Sequence, residues 1–265
     1  MNRLDDAFSL AKSENRSLLI GFVTAGFPSK AGTIATAKAM IAGGVDVIEV
    51  GFPYSDPVMD GPIIQRAGEI ALENKTNALD VLDIVEEISN LAPTLVMTYW
   101  NPIEKYGVDK FSTELAMRGG VGLITPDLTI EESAPWLSAA QKADLARVFV
   151  VAPSSTDGRL QRVKNSASGF VYAASLMGVT GVRTAISNSA QTLVSKLRKV
   201  TSLPIAVGLG VSTGEQAAQV SKYADGVIVG SAFTRLLIDN KNFDSALQAI
   251  TNLAKELSEI GRAHV

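Results

Sequence analysis

No cysteine occurs among the 265 residues, and the single histidine, His264, stands second from the end. The first absence excludes disulfides, a thiolate nucleophile, thiolate zinc sites and iron–sulfur clusters. The second leaves no well-placed imidazole for Ser-His-Asp hydrolysis, metal ligation or acid/base work, because a residue so near a terminus is expected to be frayed. Proton chemistry then falls to Asp, Glu, Tyr or Lys. Excess charge is missing too: 24 Lys+Arg against 27 Asp+Glu give a net −3. That is no electrostatic footprint for nucleic acid or an anionic membrane. The longest nearly apolar stretch, Leu18 to Phe27, is about half of a membrane span. The start, Met1-Asn2-Arg3-Leu4-Asp5-Asp6, is polar and acidic, without the apolar segment of a secretion signal. A soluble, cytoplasmic protein is expected.

What is present is a hydrophobic fraction of 46%, enough for a large packed core. Eight short runs rich in Val, Ile and Leu predict strands: Leu18–Thr24, Asp46–Gly51, Thr94–Tyr99, Val121–Ile124, Ala146–Val151, Gly169–Ala173, Pro204–Gly208 and Asp225–Val229. Most are apolar on successive residues, which suits a parallel sheet covered on both faces. Helix-like stretches lie between them. Ser29 is placed to cap a helix with Ile34, Ala37, Met40 and Ile41 on one stripe, and Thr129 to precede another opening on Ile130-Glu131-Glu132. Asn188 or Ser189 is read as the cap of a helix reaching Lys199, and Thr213 as the cap of the next. Residues 2–14 suggest an extra helix before the first strand.

The fold class expected is α/β, a (β/α)8 TIM barrel with that extra N-terminal helix and extended loops after strands 2 and 6. A doubly wound open sheet is the rival, disfavoured because no Gly-x-Gly-x-x-Gly follows the first strand. Nothing in composition divides the chain, so residues 1–265 read as one domain.

The strands contain no Lys, which argues against a Schiff-base aldolase. Their conspicuous ionisable residue is Glu49, amid aliphatics near a strand's C-terminal end, where burial resists ionisation and barrels keep their catalytic groups. It reads as a tuned acid/base or as a structural buried Glu. The next eleven residues, Phe52 to Pro62, hold three prolines and one glycine and so form a shaped loop. This loop presents Asp60, either as a functional carboxylate or as a cap for the helix entered at Gly61-Pro62. Tyr99 and Tyr172, near strand ends, either pack or line an aromatic pocket. Gly208-Leu209-Gly210 and Gly230-Ser231 follow the last two strands, the corner where barrels hold phosphate through backbone amides, although either is also an ordinary turn. Gly178 to Thr184 reads as a loop able to close over a ligand, or as a plain mobile loop.

The run Glu49-Val50-Gly51-Phe52-Pro53-Tyr54-Ser55-Asp56-Pro57, continuing into Asp60-Gly61-Pro62-Ile63-Ile64-Gln65, resembles the signature of the tryptophan synthase α subunit family. Further likeness lies in Phe22-Val23-Thr24-Ala25-Gly26, Met97 to Pro102, Pro126-Asp127, Ala152 to Thr156, Tyr172 to Gly181 and Gly208 to Ser212. The resemblance implies a barrel that cleaves indole-3-glycerol phosphate to indole and glyceraldehyde 3-phosphate, with no metal and no cofactor on this chain. It implies Glu49, Asp60 and Tyr172 as catalytic residues. Phe22, Ile64, Met97 and Tyr99 would form the indole pocket, Gly181, Gly210, Gly230 and Ser231 the phosphate site, and Thr180 the closing loop's contact to Asp60. The implied partner is a pyridoxal-phosphate β subunit in an αββα heterotetramer. A stand-alone lyase and a non-catalytic activator of the β subunit remain the alternatives. Phe27, Phe52 and Tyr54 depart from the residues commoner in the family, and Phe27 is expected to alter the edge of the site or contact.

Overall fold

The computed structural model describes residues 2–174, 183–208 and 210–260. Helix α1 (Arg3–Ser13) leads into β1 (Leu18–Thr24), α2 (Lys30–Ala42) and β2 (Val47–Gly51). Then come α3 (Pro62–Glu73), α4 (Ala78–Ser89), β3 (Thr94–Met97), α5 (Trp100–Tyr106), α6 (Val108–Met117) and β4 (Gly120–Ile124). The second half runs α7 (Ala134–Lys142), β5 (Ala146–Val148), β6 (Val150–Val151), α8 (Asp157–Ser166), β7 (Val171–Ala174), α9 (Arg183–Arg198), β8 (Ile205–Gly208), α10 (Gly214–Ser221), β9 (Gly226–Val229), α11 (Ser231–Asp239) and α12 (Phe243–Ile260).

All strand pairs are parallel, in the order β5-β4-β3-β2-β1-β9-β8-β7-β6. Segments β5 and β6 are two halves of one strand parted only by Phe149, so the sheet's ends meet there and the nine segments form a (β/α)8 barrel. All eight expected strands are present.

Alternation along the strands sorts their side chains into two cores. Inside the barrel Ile20, Val47, Leu95, Val148, Ala206 and Ile228 pack together, joined from below by Leu4, Phe8 and Ala11 of α1. Outside it Leu19, Ile48, Val96, Leu123, Val207 and Val227 face the helices. Helix α1 thus closes the N-terminal end, its Phe8 ring 5.6 Å from Phe170. Beside it Arg16 is held by Asp46 through two 2.8 Å bonds, and Asp46 also accepts the Leu19 N–H at 2.8 Å. Among the described residues no helix is long and apolar enough to cross a membrane.

Several local expectations are corrected. Residues Ile130–Glu132 form a short 3-10 turn, and the helix starts at Ala134 because Pro135 suits its first turn. Asn188 and Ser189 lie inside α9, past its start at Arg183. In α2 the buried positions are Gly32, Thr33, Thr36, Ala37 and Met40, with Ile34 and Ile41 only half-buried. Thr33 faces inward because its hydroxyl bonds back to the Ser29 carbonyl at 3.0 Å and takes the Gly26 N–H at 3.0 Å.

Candidate active site

Strand β2 points Val47 and Glu49 to the same side, into the barrel, and pairs Glu49 with Phe22 on β1 and Leu95 on β3. Glu49 therefore stands just above the apolar plug, 0% exposed. Neither of its carboxylate oxygens has a hydrogen-bond partner. Burial alone pushes its pKa up to about 8, so at neutral pH it is an acid with a proton to give.

Tyr172 reaches the same space from β7. Burial raises its pKa, and the nearby charges of Glu49 and then Asp60 add to the effect. Its ring lies over Gly208, where a Cβ would sit 2.4 Å from the phenol oxygen. On the opposite wall a Cβ at Gly51 would come within 2.3 Å of the Phe22 ring. These two glycines make room for the pocket's aromatic sides.

Asp60 arrives on the loop between β2 and α3. Its pKa rises to about 6, mainly through burial, with the neighbouring Tyr99 hydroxyl opposing the rise. It does not cap α3, because Gly61 takes that position and Pro62 opens the helix. The Asp60 carboxylate is thus left for the cavity. Gln65 braces the loop, its Nε2 donating to the carbonyls of Pro57 at 3.2 Å and Asp60 at 3.0 Å. The Tyr99 hydroxyl accepts the Met59 N–H at 2.9 Å.

Across the mouth Gly208, Gly210, Gly230 and Ser231 line one corner. Gly210 adopts φ 65°, a left-handed conformation that suits glycine. Gly230 precedes α11 without a side-chain cap, so the first amides of that helix have no acceptor within it. An anionic group fits there by hydrogen bonding and helix dipole alone.

The resulting cavity is about 290 Å³. It brings together Glu49, Asp60, Tyr172, Phe22, Ile64, Met97, Tyr99, Gly210, Gly230 and Ser231. Thr180 and Gly181 lie outside the described residues. Phe27 is not on the wall: it is buried beside Ala67 and Ala71 under α3, contrary to the expectation that it alters the edge of the site. Sequence reasoning gave no role to Thr24, Gln65, Thr98 or Pro126, which also line the cavity. Thr24 is two residues past Phe22 on the same face of β1, and its buried hydroxyl has no partner. That two-residue spacing was the available signal. Asp127 serves locally, accepting the Trp100 N–H at 2.9 Å at the start of α5.

A larger cleft, about 530 Å³, opens at the other end between Lys12, Arg198 and Lys222. It holds none of the groups with strongly raised pKa. Among the described residues no group of three or more His, Cys, Asp or Glu side chains is placed to hold a metal ion.

Comparison with known proteins gives a consistent answer. A family model described as tryptophan synthase alpha chain matches residues 8–262. The tryptophan synthase alpha chain of Streptomyces avermitilis is 53% identical over 258 residues, 97% of this chain and 93% of that protein. The counterpart from Thermobifida fusca is 54% identical, covering 96% of this chain and 95% of its own. Among solved structures, Mycobacterium tuberculosis tryptophan synthase superposes with a TM-score of 0.91 at 46% identity, covering 98% of both chains. Tryptophan synthase subunit alpha from Legionella pneumophila gives 0.90 at 32% identity, again covering 98% of both chains.

Proposed function

The chain belongs to the tryptophan synthase alpha chain family, and on that footing we propose that it is a carbon–carbon lyase acting on indole-3-glycerol phosphate. The observation that carries the reading is one cavity with an unpaired buried carboxyl at its floor, a second carboxylate at its rim and a glycine-lined corner opposite. These match an aromatic ring, its N–H and a phosphate monoester in turn.

The chemistry follows from the two carboxyl groups. Glu49, protonated at neutral pH, gives its proton to ring carbon C3. The ring becomes an iminium whose N–H is held by the Asp60 carboxylate, which offsets the positive charge. The bond from C3 to the glycerol carbon then breaks, and its electron pair flows into the C=N⁺ bond. The Glu49 carboxylate takes the proton of the hydroxyl on that glycerol carbon, which becomes the aldehyde. Indole and glyceraldehyde 3-phosphate result, and Glu49 ends with the proton it began with. Each group is asked for about 10²–10⁴-fold. Phe22, Ile64, Met97 and Tyr99 supply the apolar walls for the ring, Tyr172 its far side, and Gly210, Gly230 and Ser231 the phosphate seat.

The partner is a β subunit, in an αββα assembly, with pyridoxal phosphate on the partner and none on this chain. In support, the structural neighbour from Mycobacterium tuberculosis is described as tryptophan synthase. The rim loop also exposes Val58 (84%) and Met59 (56%), apolar side chains left uncovered by the described residues. Offering indole-3-glycerol phosphate to the chain, alone and with a β subunit, tests the reading through indole release. A large rise on mixing is expected. Equal turnover without the β subunit makes the chain a stand-alone lyase. No indole under either condition, with β-subunit activity still stimulated, leaves only an activator.

A further inference from the structure

The aromatic wall of the cavity contains one residue whose hydroxyl a mere wall does not need. Tyr99 follows β3 and is 5% exposed, its ring 5.2 Å from that of Tyr54 and tilted by 34°. The next residue, Trp100, is anchored through its N–H to Asp127 at 2.9 Å. The ring is thereby fixed on one face and along its backbone. Its hydroxyl oxygen accepts the Met59 N–H at 2.9 Å, from the residue just before Asp60.

A phenol has one proton and two lone pairs. With a lone pair committed to Met59, the proton remains to be donated, and the carboxylate of the next residue, Asp60, is the acidic group felt most strongly at this hydroxyl. We propose that Tyr99 is a positioning residue: its hydroxyl takes the loop's amide with one hand and gives its proton to Asp60 with the other, so that a single group pins the loop and aims the carboxylate. This rests on the reading of Asp60 as the acceptor of the substrate N–H.

The surroundings support a donor role. Burial, more than the nearby charges of Asp60 and Asp127, pushes the Tyr99 pKa up to about 12, so the phenol keeps its proton throughout the working range. The other titratable groups facing this corner are Glu49, Tyr54, Asp127 and Tyr172, all acids that are neutral or negative, so none brings a positive charge to compete for Asp60. Asp56, on the same loop, is engaged by the Ser55 hydroxyl at 2.6 Å. Gln65 holds only loop carbonyls. That leaves the Tyr99 hydroxyl, held at the residue before Asp60, as the donor beside its carboxylate.

Tyr99→Phe keeps the ring and its contact with Tyr54 and removes only the hydroxyl. In the assembly with the β subunit, the acid limb of the kcat/KM profile is expected to move up by about one pH unit, the worth of one hydrogen bond to a charged group. Activity should fall about tenfold below pH 6 and much less at pH 8. A uniform loss across pH, with the limb where the native protein has it, would make Tyr99 a wall residue and overturn the proposal. The second measurement does not depend on catalysis. Carbon-13 NMR of the full chain labelled at Asp carboxyls, with Asp60→Asn assigning the resonance, should show Asp60 titrating at higher pH in Tyr99→Phe. An unchanged midpoint refutes the bond. Native activity in Asp60→Asn would sink the role given to Asp60, while the NMR midpoint still judges Tyr99.

Discussion

Glu49→Gln separates the two consequences of burying a carboxyl without a partner. The amide matches the carboxyl in size, and because neither oxygen of Glu49 is hydrogen-bonded, no existing bond is lost. Activity should fall about 10²–10⁴-fold at pH 7, since the amide neither gives nor takes the proton. Stability should move the other way. Between 4.5 and about 8 the unfolded chain has released this proton and the folded chain has not. The protonated group costs nothing below that window, and each pH unit within it takes about 1.4 kcal/mol from the native state. The native protein therefore carries a penalty of about 3 kcal/mol at pH 7, approaching about 5 kcal/mol above pH 8. Glu49→Gln removes it, so the variant should melt about 6 °C or more above the native protein at pH 7 and level with it at pH 4. Thermal unfolding at the two pH values, beside an assay of indole release, reads both effects. Equal stability at pH 7 would mean that Glu49 ionises in place without cost, and the account of it as a neutral-pH acid would fail. Retained turnover would remove it from the reaction altogether.

The pH dependence of the native enzyme follows from the same pair. Asp60 must be ionised and Glu49 protonated, so kcat/KM should rise as pH passes about 6 and decline as it passes about 8; a profile flat across this range contradicts the assignment. Gly208→Ala puts a methyl 2.4 Å from the Tyr172 hydroxyl, and the forced shift should destabilise the chain by about 1–3 kcal/mol and lower kcat/KM, checked by urea unfolding and steady-state kinetics. Asp46→Ala leaves the nearly buried Arg16 with Glu14 alone and strips the Leu19 amide of its acceptor at the far end of the barrel, with an expected loss of about 2 kcal/mol in urea unfolding and unchanged kcat.

The barrel was legible because its strands are covered on both faces. Runs such as Val47-Ile48-Glu49-Val50 are apolar on successive residues, and a lone carboxyl in such a run stands out. The break between β5 and β6 was not visible, since Phe149 is as apolar as its neighbours. Helix starts failed where two capping signals competed. Thr129 and Ser133 both precede acceptable first turns, and Pro135 decides in favour of the second. Asp60 and Gly61 competed in the same way, and here the site depended on the outcome, because a carboxylate spent on capping α3 could not face substrate. Of the pocket's glycines, Gly51 was readable as a strand end and Gly208 as the start of a turn. Their service to Phe22 and Tyr172 was not, because it depends on which strands become neighbours across the sheet. Thr24 went unnoticed although its two-residue spacing from Phe22 puts it on the same face, because a strand-end threonine gains weight only once its hydroxyl is found unpaired.

Helix α1 has one more consequence. With Leu4, Phe8 and Ala11 stopping its lower end, the barrel is a cup and not a pipe. Among the described residues the floor beneath Glu49 is closed, so traffic to it passes on the loop side. A protein seated on that lip would meet substrate and product there without touching the floor.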